Sequence, residues 1–271
     1  MKINTEQQLA QKALWTATFA FAINFSVWTL YAVLGIEIRH HLSLSATDFG
    51  LLLAAPMLTG AIFRLPAGFL IEKYSAKLLF IIQMLFLVPP LLLLSYAQSY
   101  VDYLIIGLFI GLSGVSFTIG NYYVSTWFSG KKQGTAMGIF GAGNVGAVFT
   151  LFIAPLIIQQ QGWHAVGPIF ALMIFIACLL FAWLAPPAKT TTAHVATPFK
   201  KLVRDFRIWR FSLYYYFVFG SFLALILWLP QYYMNAYQLS FAQAMNHTLV
   251  FVFISSSVRA LGGWFADLYG A

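Results

Sequence analysis

The sequence predicts an all-α polytopic membrane protein. Of its 271 residues, 61% are hydrophobic and only 8% are charged, whereas soluble domains contain about 25% charged residues. The apolar residues fall into eight runs, each close to the length of roughly 20 residues that a helix needs to cross a bilayer. The predicted spans are 13–36, 47–71, 78–98, 102–128, 134–158, 165–185, 208–234 and 242–266.

The first apolar run is predicted to be a membrane span. It begins near Ala13, is too long for the core of a signal peptide and has no small-residue cleavage site.

The basic residues are distributed unevenly across the membrane. Arg64 and Arg259 lie inside predicted spans, and only Arg39 lies on one side of the membrane. The other basic residues lie on the opposite side: Lys2, Lys12, Lys73, Lys77, Lys131, Lys132, Lys189, Lys200, Lys201, Arg204, Arg207 and Arg210.

This asymmetry predicts the orientation, because cytoplasmic loops are rich in Lys and Arg. The N-terminus is expected to be cytoplasmic, in a multi-pass protein of the inner (cytoplasmic) membrane. The net charge of +8 is therefore explained by loops on one face of a lipid bilayer. We expect no nucleic-acid partner.

A single long polar connection divides the chain. Residues 1–185 contain six predicted spans, 186–207 form a predicted cytoplasmic linker, and 208–271 contain two further spans. Two repeated bundles joined by a cytoplasmic linker are the plan of many twelve-span carriers. We therefore expect a six-span N-terminal bundle followed by the first two spans of a second bundle, in an N-terminal fragment of a longer carrier.

An internal repeat supports this division. Residues 64–76 align without gaps to residues 259–271, which are 195 positions further along. The matched pairs include Arg64 with Arg259, Gly68 with Gly263, and Glu72 with Asp267. Such a repeat is typical of two homologous bundles that contribute equivalent residues to one central site.

The two repeated arginines indicate an anion site. A charge at the centre of a bilayer costs about 2.5–3.5 kcal/mol on insertion scales, so its usual explanation is function. No carboxylate accompanies them at the midplane, because all seven acids lie at or beyond the predicted membrane edges: Glu6, Glu37, Asp48, Glu72, Asp102, Asp205 and Asp267. Arginine suits an oxyanion, since its planar fork donates parallel hydrogen bonds. The alternative is that each arginine donates to backbone carbonyls of neighbouring helices.

The residues around Arg64 indicate close helix packing and a charged loop. Gly60 and Gly68 lie one turn before and one turn after Arg64, on the same helical face, where small residues permit close approach. The loop that follows contains Glu72 and Lys73. A solvated positive loop would explain the lysines of this segment but would not explain its repetition.

The fifth predicted span has a face of glycines, Gly134, Gly138 and Gly141, which lets a neighbouring helix or a substrate approach the backbone. A GxGxxG match here is rejected as a dinucleotide site, because it lies inside a membrane span with no strand before it. Asn144 is predicted to be a buried amide that needs a partner. Plain helix packing is the alternative explanation of the glycines.

No feature of the sequence indicates an enzyme. The spans and loops contain no nucleophile–base pair, metal-ligand cluster or cofactor motif, so we expect neither a metal nor a cofactor. The one cysteine, Cys178, lies in an apolar run and is predicted to have a packing role.

The sequence resembles the nitrate/nitrite porter family of the major facilitator superfamily over essentially its whole length. The resemblance lies in 141–146 (GAGNVG), 111–117 (GLSGVSF), 209–222, and the arginines of spans 2 and 8. Residues 68–77 also resemble the loop motif that major facilitator proteins carry between spans 2 and 3, with Glu72 in place of the usual aspartate.

The resemblance implies roles for individual residues. The two arginines would hold the anion, aromatic rings would enclose its planar face, and the glycine-rich motif would contribute further contacts. These roles fall on Arg64, Arg259, Phe117, Tyr215, Phe219, Gly143 and Asn144, with either Phe25 or Trp28 from span 1. The loop motif would help to latch the two bundles together through Gly68, Glu72, Lys73, Gly263 and Asp267.

The expected function is transport of nitrate and nitrite by alternating access, in a monomeric protein. Anion exchange is the simplest cycle, and proton symport remains open. A carrier of another small monoanion, such as a monocarboxylate, and a membrane sensor that does not transport are the alternative functions.

Overall fold

The computed structural model describes residues 2–128, 130–189 and 199–270, and this part of the chain is entirely helical apart from its turns. The α-helices are Lys2–Trp28, Tyr31–Leu42, Ala46–Ile62, Arg64–Lys73, Ala76–Phe86, Val88–Leu93, Tyr100–Ile110, Ser116–Ser125, Gln133–Gly141, Gly146–Gln161, Val166–Leu184, Phe199–Arg204, Phe206–Ala236 and Phe241–Tyr269. Short 3₁₀-helices cover Gly111–Val115, Gly130–Lys132, Ala142–Val145 and Trp163–Ala165.

These helices form eight spans that are long and apolar enough to cross a membrane, as the sequence predicts. Spans 1 to 8 are Thr5–Leu42, Ala46–Lys73, Ala76–Leu93, Tyr100–Ser125, Gln133–Gln161, Trp163–Leu184, Phe206–Ala236 and Phe241–Tyr269. Span 1 is longer at both ends than the predicted 13–36. Its polar N-terminal turns contain good helix formers such as Gln and Lys. Its last helix continues to Leu42 and is followed by Ser43, which adopts a left-handed conformation with φ 50°.

Proline positions explain why spans 2 and 3 each consist of two helices. The first helix of span 2 ends at Ile62, whose carbonyl has no N–H to accept from Pro66 four residues later. The first helix of span 3 ends at Phe86, just before Pro89 and Pro90. The break in span 2 falls at Phe63, so Arg64 begins a new helix.

Span 1 lies at the centre of the fold. Its most apolar window is 94% buried, compared with 22% for span 7 and 11% for span 8. A buried hydroxyl link joins span 1 to span 5, because Thr150 Oγ1 donates to the carbonyl of Ser26 at 2.6 Å and lies 3.3 Å from Thr29 Oγ1. Buried polar contacts therefore join span 5 to the central span 1.

The chain leaves span 6 along one end of the bundle. Lys77 donates to the carbonyl of Ala185 at 2.5 Å, and the buried hydroxyl of Tyr123 donates to the carbonyl of Pro186 at 2.6 Å. Lys189 forms an ion pair with Glu6 at 2.5 Å. The predicted linker 186–207 thus begins packed against spans 1 and 4, and its residues 190–198 lie outside the described part of the chain.

Candidate functional site

Arg64 is held by the break in span 2 and by the irregular segment of span 4. Its Nε atom donates to the carbonyl of Gly114, in the 3₁₀-helix Gly111–Val115, with a donor–acceptor distance of 3.4 Å. The side chain is half-buried, and its Nη2 atom is buried with no hydrogen-bond partner among the described residues. This guanidinium therefore has donors to offer to a ligand.

Three aromatic rings from three different spans surround Arg64. The guanidinium carbon Cζ lies 5.3 Å from the ring centroid of Trp28, 5.4 Å from that of Phe117 and 5.3 Å from that of Phe219. All three distances lie within the range of cation–π attraction. Spans 1, 4 and 7 thus converge on the arginine of span 2.

Arg259 approaches one of these rings, that of Phe219, from span 8. Its Nη1 atom donates to the carbonyl of Gly141 at 3.4 Å, and its Cζ lies 5.4 Å from the centroid of Phe219. Because Phe219 contacts both arginines, the two guanidinium carbons can be no more than about 11 Å apart, the sum of their distances to this ring. The two arginines of the repeat therefore lie beside the same aromatic ring.

The three aromatic residues predicted from spans 4 and 7 form one cluster. Tyr215 stacks on Phe219 at 5.0 Å between centroids, and Phe117 lies 6.1 Å from Tyr215. The Tyr215 hydroxyl is buried and lies beside the Arg259 guanidinium. Of the two candidates in span 1, Trp28 contacts Arg64, whereas Phe25 packs edge to face on Trp28 with 5.7 Å between the ring centroids.

Trp28 is fixed in place by two glycines and one hydrogen bond. Its indole N–H donates to the carbonyl of Pro56 at 2.9 Å. A Cβ atom added at Gly60 or Gly114 would lie 2.7 Å or 2.6 Å from the indole ring, closer than packed carbon atoms approach. The predicted close approach at Gly60 is therefore confirmed, while Gly68 has no atom within 4 Å of such a Cβ among the described residues.

A cleft of about 760 Å³ opens beside this cluster, between spans 2 and 7. Trp28, Arg64, Tyr215 and Phe219 line it, and most of its other walls are apolar side chains. A largely apolar cleft with a few convergent polar groups is the usual form of a small-molecule site.

The glycines of span 5 divide into two contact faces. Gly134 and Gly138 pack directly against the backbone of span 8 at Gly263, and Gly141 faces Arg259. A Cβ at Gly143 would lie 2.5 Å from the ring of Phe21, so this glycine lies in the contact with span 1. The predicted close approach of neighbouring helices is confirmed, and a direct anion contact at Gly143 stays a prediction.

Asn144 is fully buried in the 3₁₀-helix Ala142–Val145, as its position inside the fifth predicted span indicates. Neither its Oδ1 nor its Nδ2 atom has a hydrogen-bond partner among the described residues. Burial of an unpaired amide costs free energy. A side chain of this kind near Gly141, and hence near Arg259, has donor and acceptor capacity for a ligand or a water molecule.

The second copy of the loop motif joins spans 5 and 8. The carboxylate of Asp267 accepts from the backbone N–H of Gly134 at 2.8 Å, and from the backbone N–H and hydroxyl of Thr135 at 2.6 Å each. These N–H groups lie at the start of the helix Gln133–Gly141, where negative charge is favourable. In the first copy, Glu72 and Lys73 are exposed.

Donation to backbone carbonyls of neighbouring helices, the alternative explanation of the two arginines, accounts for only part of their hydrogen bonding. Each guanidinium makes one hydrogen bond to a backbone carbonyl, and both bonds are long at 3.4 Å. Arginine has five N–H donors, so most of this capacity remains for another partner. The sequence could not predict these carbonyls, because they become available only where spans 4 and 5 leave regular α-helical geometry.

Comparison with known proteins agrees with this architecture. The family model of the Major Facilitator Superfamily matches residues 14–271 of the chain. Among solved structures, a bacterial homologue of the human lysosomal transporter Spinster, in an inward-facing, unoccupied conformation, has a TM-score of 0.74 and 17% sequence identity. The match covers 97% of this chain and 63% of that one, and at this identity it shows the fold alone.

Curated relatives bear transport names. A "Probable nitrate/nitrite antiporter NarK1" of Thermus thermophilus is 36% identical over 96% of this chain, and a "Nitrite extrusion protein" of Bacillus subtilis is 31% identical over 92%. The chain spans 62% and 64% of the length of these two relatives. The expected resemblance to nitrate/nitrite porters and the expected carrier fold are confirmed, and the chain belongs to the Major Facilitator Superfamily.

Proposed function

We propose that the complete protein transports nitrate and nitrite across the bacterial cytoplasmic membrane, by alternating access to a site built on Arg64 and Arg259. The observation that carries this proposal is the convergence of both guanidiniums on Phe219. The names of the relatives support the choice of substrate. The proposed site also includes Phe117, Tyr215, Asn144 and Trp28.

The charges of the site favour an anion. Among the described residues, the only ion pair joins Lys189 to Glu6, so neither Arg64 nor Arg259 is paired with a carboxylate. At a separation of no more than about 11 Å and an effective dielectric constant of about 20, the two charges repel by about 1.5 kcal/mol or more. A monovalent anion between them removes this repulsion and adds charge-assisted hydrogen bonds.

The aromatic walls favour a flat anion with weak hydration. Nitrate spreads one charge over three oxygens in a plane, so its faces can lie against rings while its edge accepts from the guanidinium forks. The rings Trp28, Phe117 and Phe219 all lie within 5.4 Å of the Arg64 Cζ atom. A strongly hydrated anion would lose more on entering such a cleft.

Repulsion between the arginines also supports exchange as the transport cycle. In this proposal, residues 1–185 are taken as one bundle and the residues from 208 onward as the start of a second, so Arg64 belongs to the first and Arg259 to the second. When the two parts close on each other, the two positive charges approach. A bound anion makes this approach favourable because it neutralises their repulsion. One relative is named an antiporter, which agrees with this cycle.

Counterflow tests this proposal. The complete protein is reconstituted in vesicles loaded with nitrite, and nitrate is supplied outside at fixed pH. Uptake that requires internal nitrite is expected. Uptake into nitrite-free vesicles, driven by an inward proton gradient, would contradict exchange and show symport. Competition by chloride or lactate at equal concentration should be weak, and strong competition by lactate would favour a monocarboxylate carrier.

Substitution of the arginines tests the site itself. Arg64→Ala and Arg259→Ala should each lower nitrate uptake by more than about thirtyfold, since each removes a charged partner from a desolvated group. Arg210→Ala is the matched control, because Arg210 is exposed near the start of span 7. Uptake close to wild type in Arg64→Ala would refute the assignment.

A further inference from the structure

Phe219 has an unusual position between two like charges. Its centroid lies 5.3 Å from the Cζ atom of Arg64 and 5.4 Å from that of Arg259. Among the described residues, it is the only ring within this range of both arginines. The face of an aromatic ring is negative and attracts cations, so one ring here serves both guanidiniums.

The ring also connects parts of the chain that alternating access would move. Phe219 belongs to span 7, whereas Arg64 belongs to span 2 of the six-span part and Arg259 to span 8. It is 5% exposed and stacked on Tyr215, so its orientation is fixed by its neighbours in span 7. Movement of span 7 relative to span 2 must therefore change the contact between Phe219 and Arg64.

We propose that Phe219 determines how strictly the carrier exchanges anions. When the carrier changes sides without an anion, the two arginines approach each other and the ring offsets part of their repulsion. When an anion is bound, the anion neutralises the arginines, and the ring then packs against the anion and is no longer needed to offset their repulsion. The ring thus permits the empty carrier to return slowly to the other side of the membrane. Such a return allows net transport of an anion in addition to exchange. This inference rests on the proposed function, in which both arginines hold nitrate or nitrite.

Fluorinated phenylalanines test the inference, because fluorine withdraws electron density from the ring face with little change in size. The complete protein is prepared with 4-fluoro-, 3,5-difluoro- and 3,4,5-trifluorophenylalanine at position 219 and reconstituted in nitrite-loaded vesicles. Two rates are measured: nitrite exchange against external nitrate, and net nitrite efflux into gluconate buffer. Potassium and valinomycin supply compensating charge in both assays.

The same series at Phe222 is the matched control. Phe222 lies one turn further along span 7, 6.4 Å from Phe219, and is also buried. Its ring contacts Phe25 and Phe251, and no arginine contacts it among the described residues. Fluorination at 222 therefore reproduces the packing change without the charge effect.

The expected result is a graded loss of net efflux at position 219 that is larger than any change in exchange. Loss of two cation–π contacts corresponds to a rise of roughly tenfold in the ratio of exchange to net efflux across the series. At position 222 the ratio should stay constant. A parallel loss of both rates at 219, an unchanged ratio, or the same change at 222 would overturn the inference. Failure of the wild-type protein to move either anion would overturn the proposed function, and this inference with it.

Discussion

Gly262 and Gly263 are neighbours in span 8 for which the structure predicts opposite effects of the same substitution. A Cβ atom at Gly263 would lie 2.9 Å from the carbonyl carbon of Gly134 and 3.0 Å from the Cα of Gly138. These are backbone atoms, which cannot rotate away. A Cβ atom at Gly262 would meet no atom of the described chain within 4 Å.

The comparison isolates the cost of overpacking. Both Gly→Ala substitutions gain about 0.5–1 kcal/mol from helix propensity, so this gain cancels between the two variants. Overpacking of a close contact costs about 1–3 kcal/mol, and that cost falls on Gly263→Ala alone. For a chain of this size, the difference should lower the melting temperature of Gly263→Ala several degrees below that of Gly262→Ala.

Thermal unfolding of the complete protein in detergent, followed by intrinsic fluorescence, measures this difference. Nitrate uptake provides a second readout, because Arg259 lies one turn before Gly263 and its backbone carbonyl is 2.7 Å from a Cβ at Gly138. Gly263→Ala should therefore weaken nitrate uptake, and Gly262→Ala should leave it unchanged. Equal melting temperatures in the two variants would refute direct backbone contact between spans 5 and 8.

Three further predictions follow from other contacts. Asp267→Ala should lower the melting temperature more than Asp102→Ala, since Asp267 joins two spans whereas the Asp102 carboxylate caps only its own helix; equal shifts would contradict this. Trp28→Phe should raise the KM for nitrate several-fold and lower the melting temperature, because the smaller ring loses its hydrogen bond, its packing and its hold on Arg64; an unchanged KM would contradict it. A cysteine at Ser75 should react with thiol reagents from the cytoplasm, and one at Gln160 from outside, with the buried native cysteine as background; the reverse pattern would invert the proposed orientation.

The gross architecture could be predicted because membrane spans depend on local composition. Eight long apolar segments follow from hydrophobicity and length alone, and the arginine pair follows from the repeat. The breaks at Phe63 and Leu87 also have a local cause, the prolines that follow them, although the predicted spans 47–71 and 78–98 include no break.

The detailed site could not be predicted in the same way, because it depends on how spans cross. Nothing local to Phe219 indicates that both arginines meet its ring, since these residues come from spans 2, 7 and 8. The choice between Phe25 and Trp28 likewise depends on which face of span 1 turns toward span 2. The placement of Gly143 against Phe21 depends on the packing of span 5 on span 1.

The contact of spans 5 and 8 at Gly134, Gly138 and Gly263 contains almost no side-chain atoms. Where two helix backbones meet without interlocking side chains, one helix can tilt on the other without any change of side-chain rotamer at that contact. Beside this contact, the carboxylate of Asp267 accepts three hydrogen bonds from Gly134 and Thr135. These charged hydrogen bonds would have to break before the two helices could separate there.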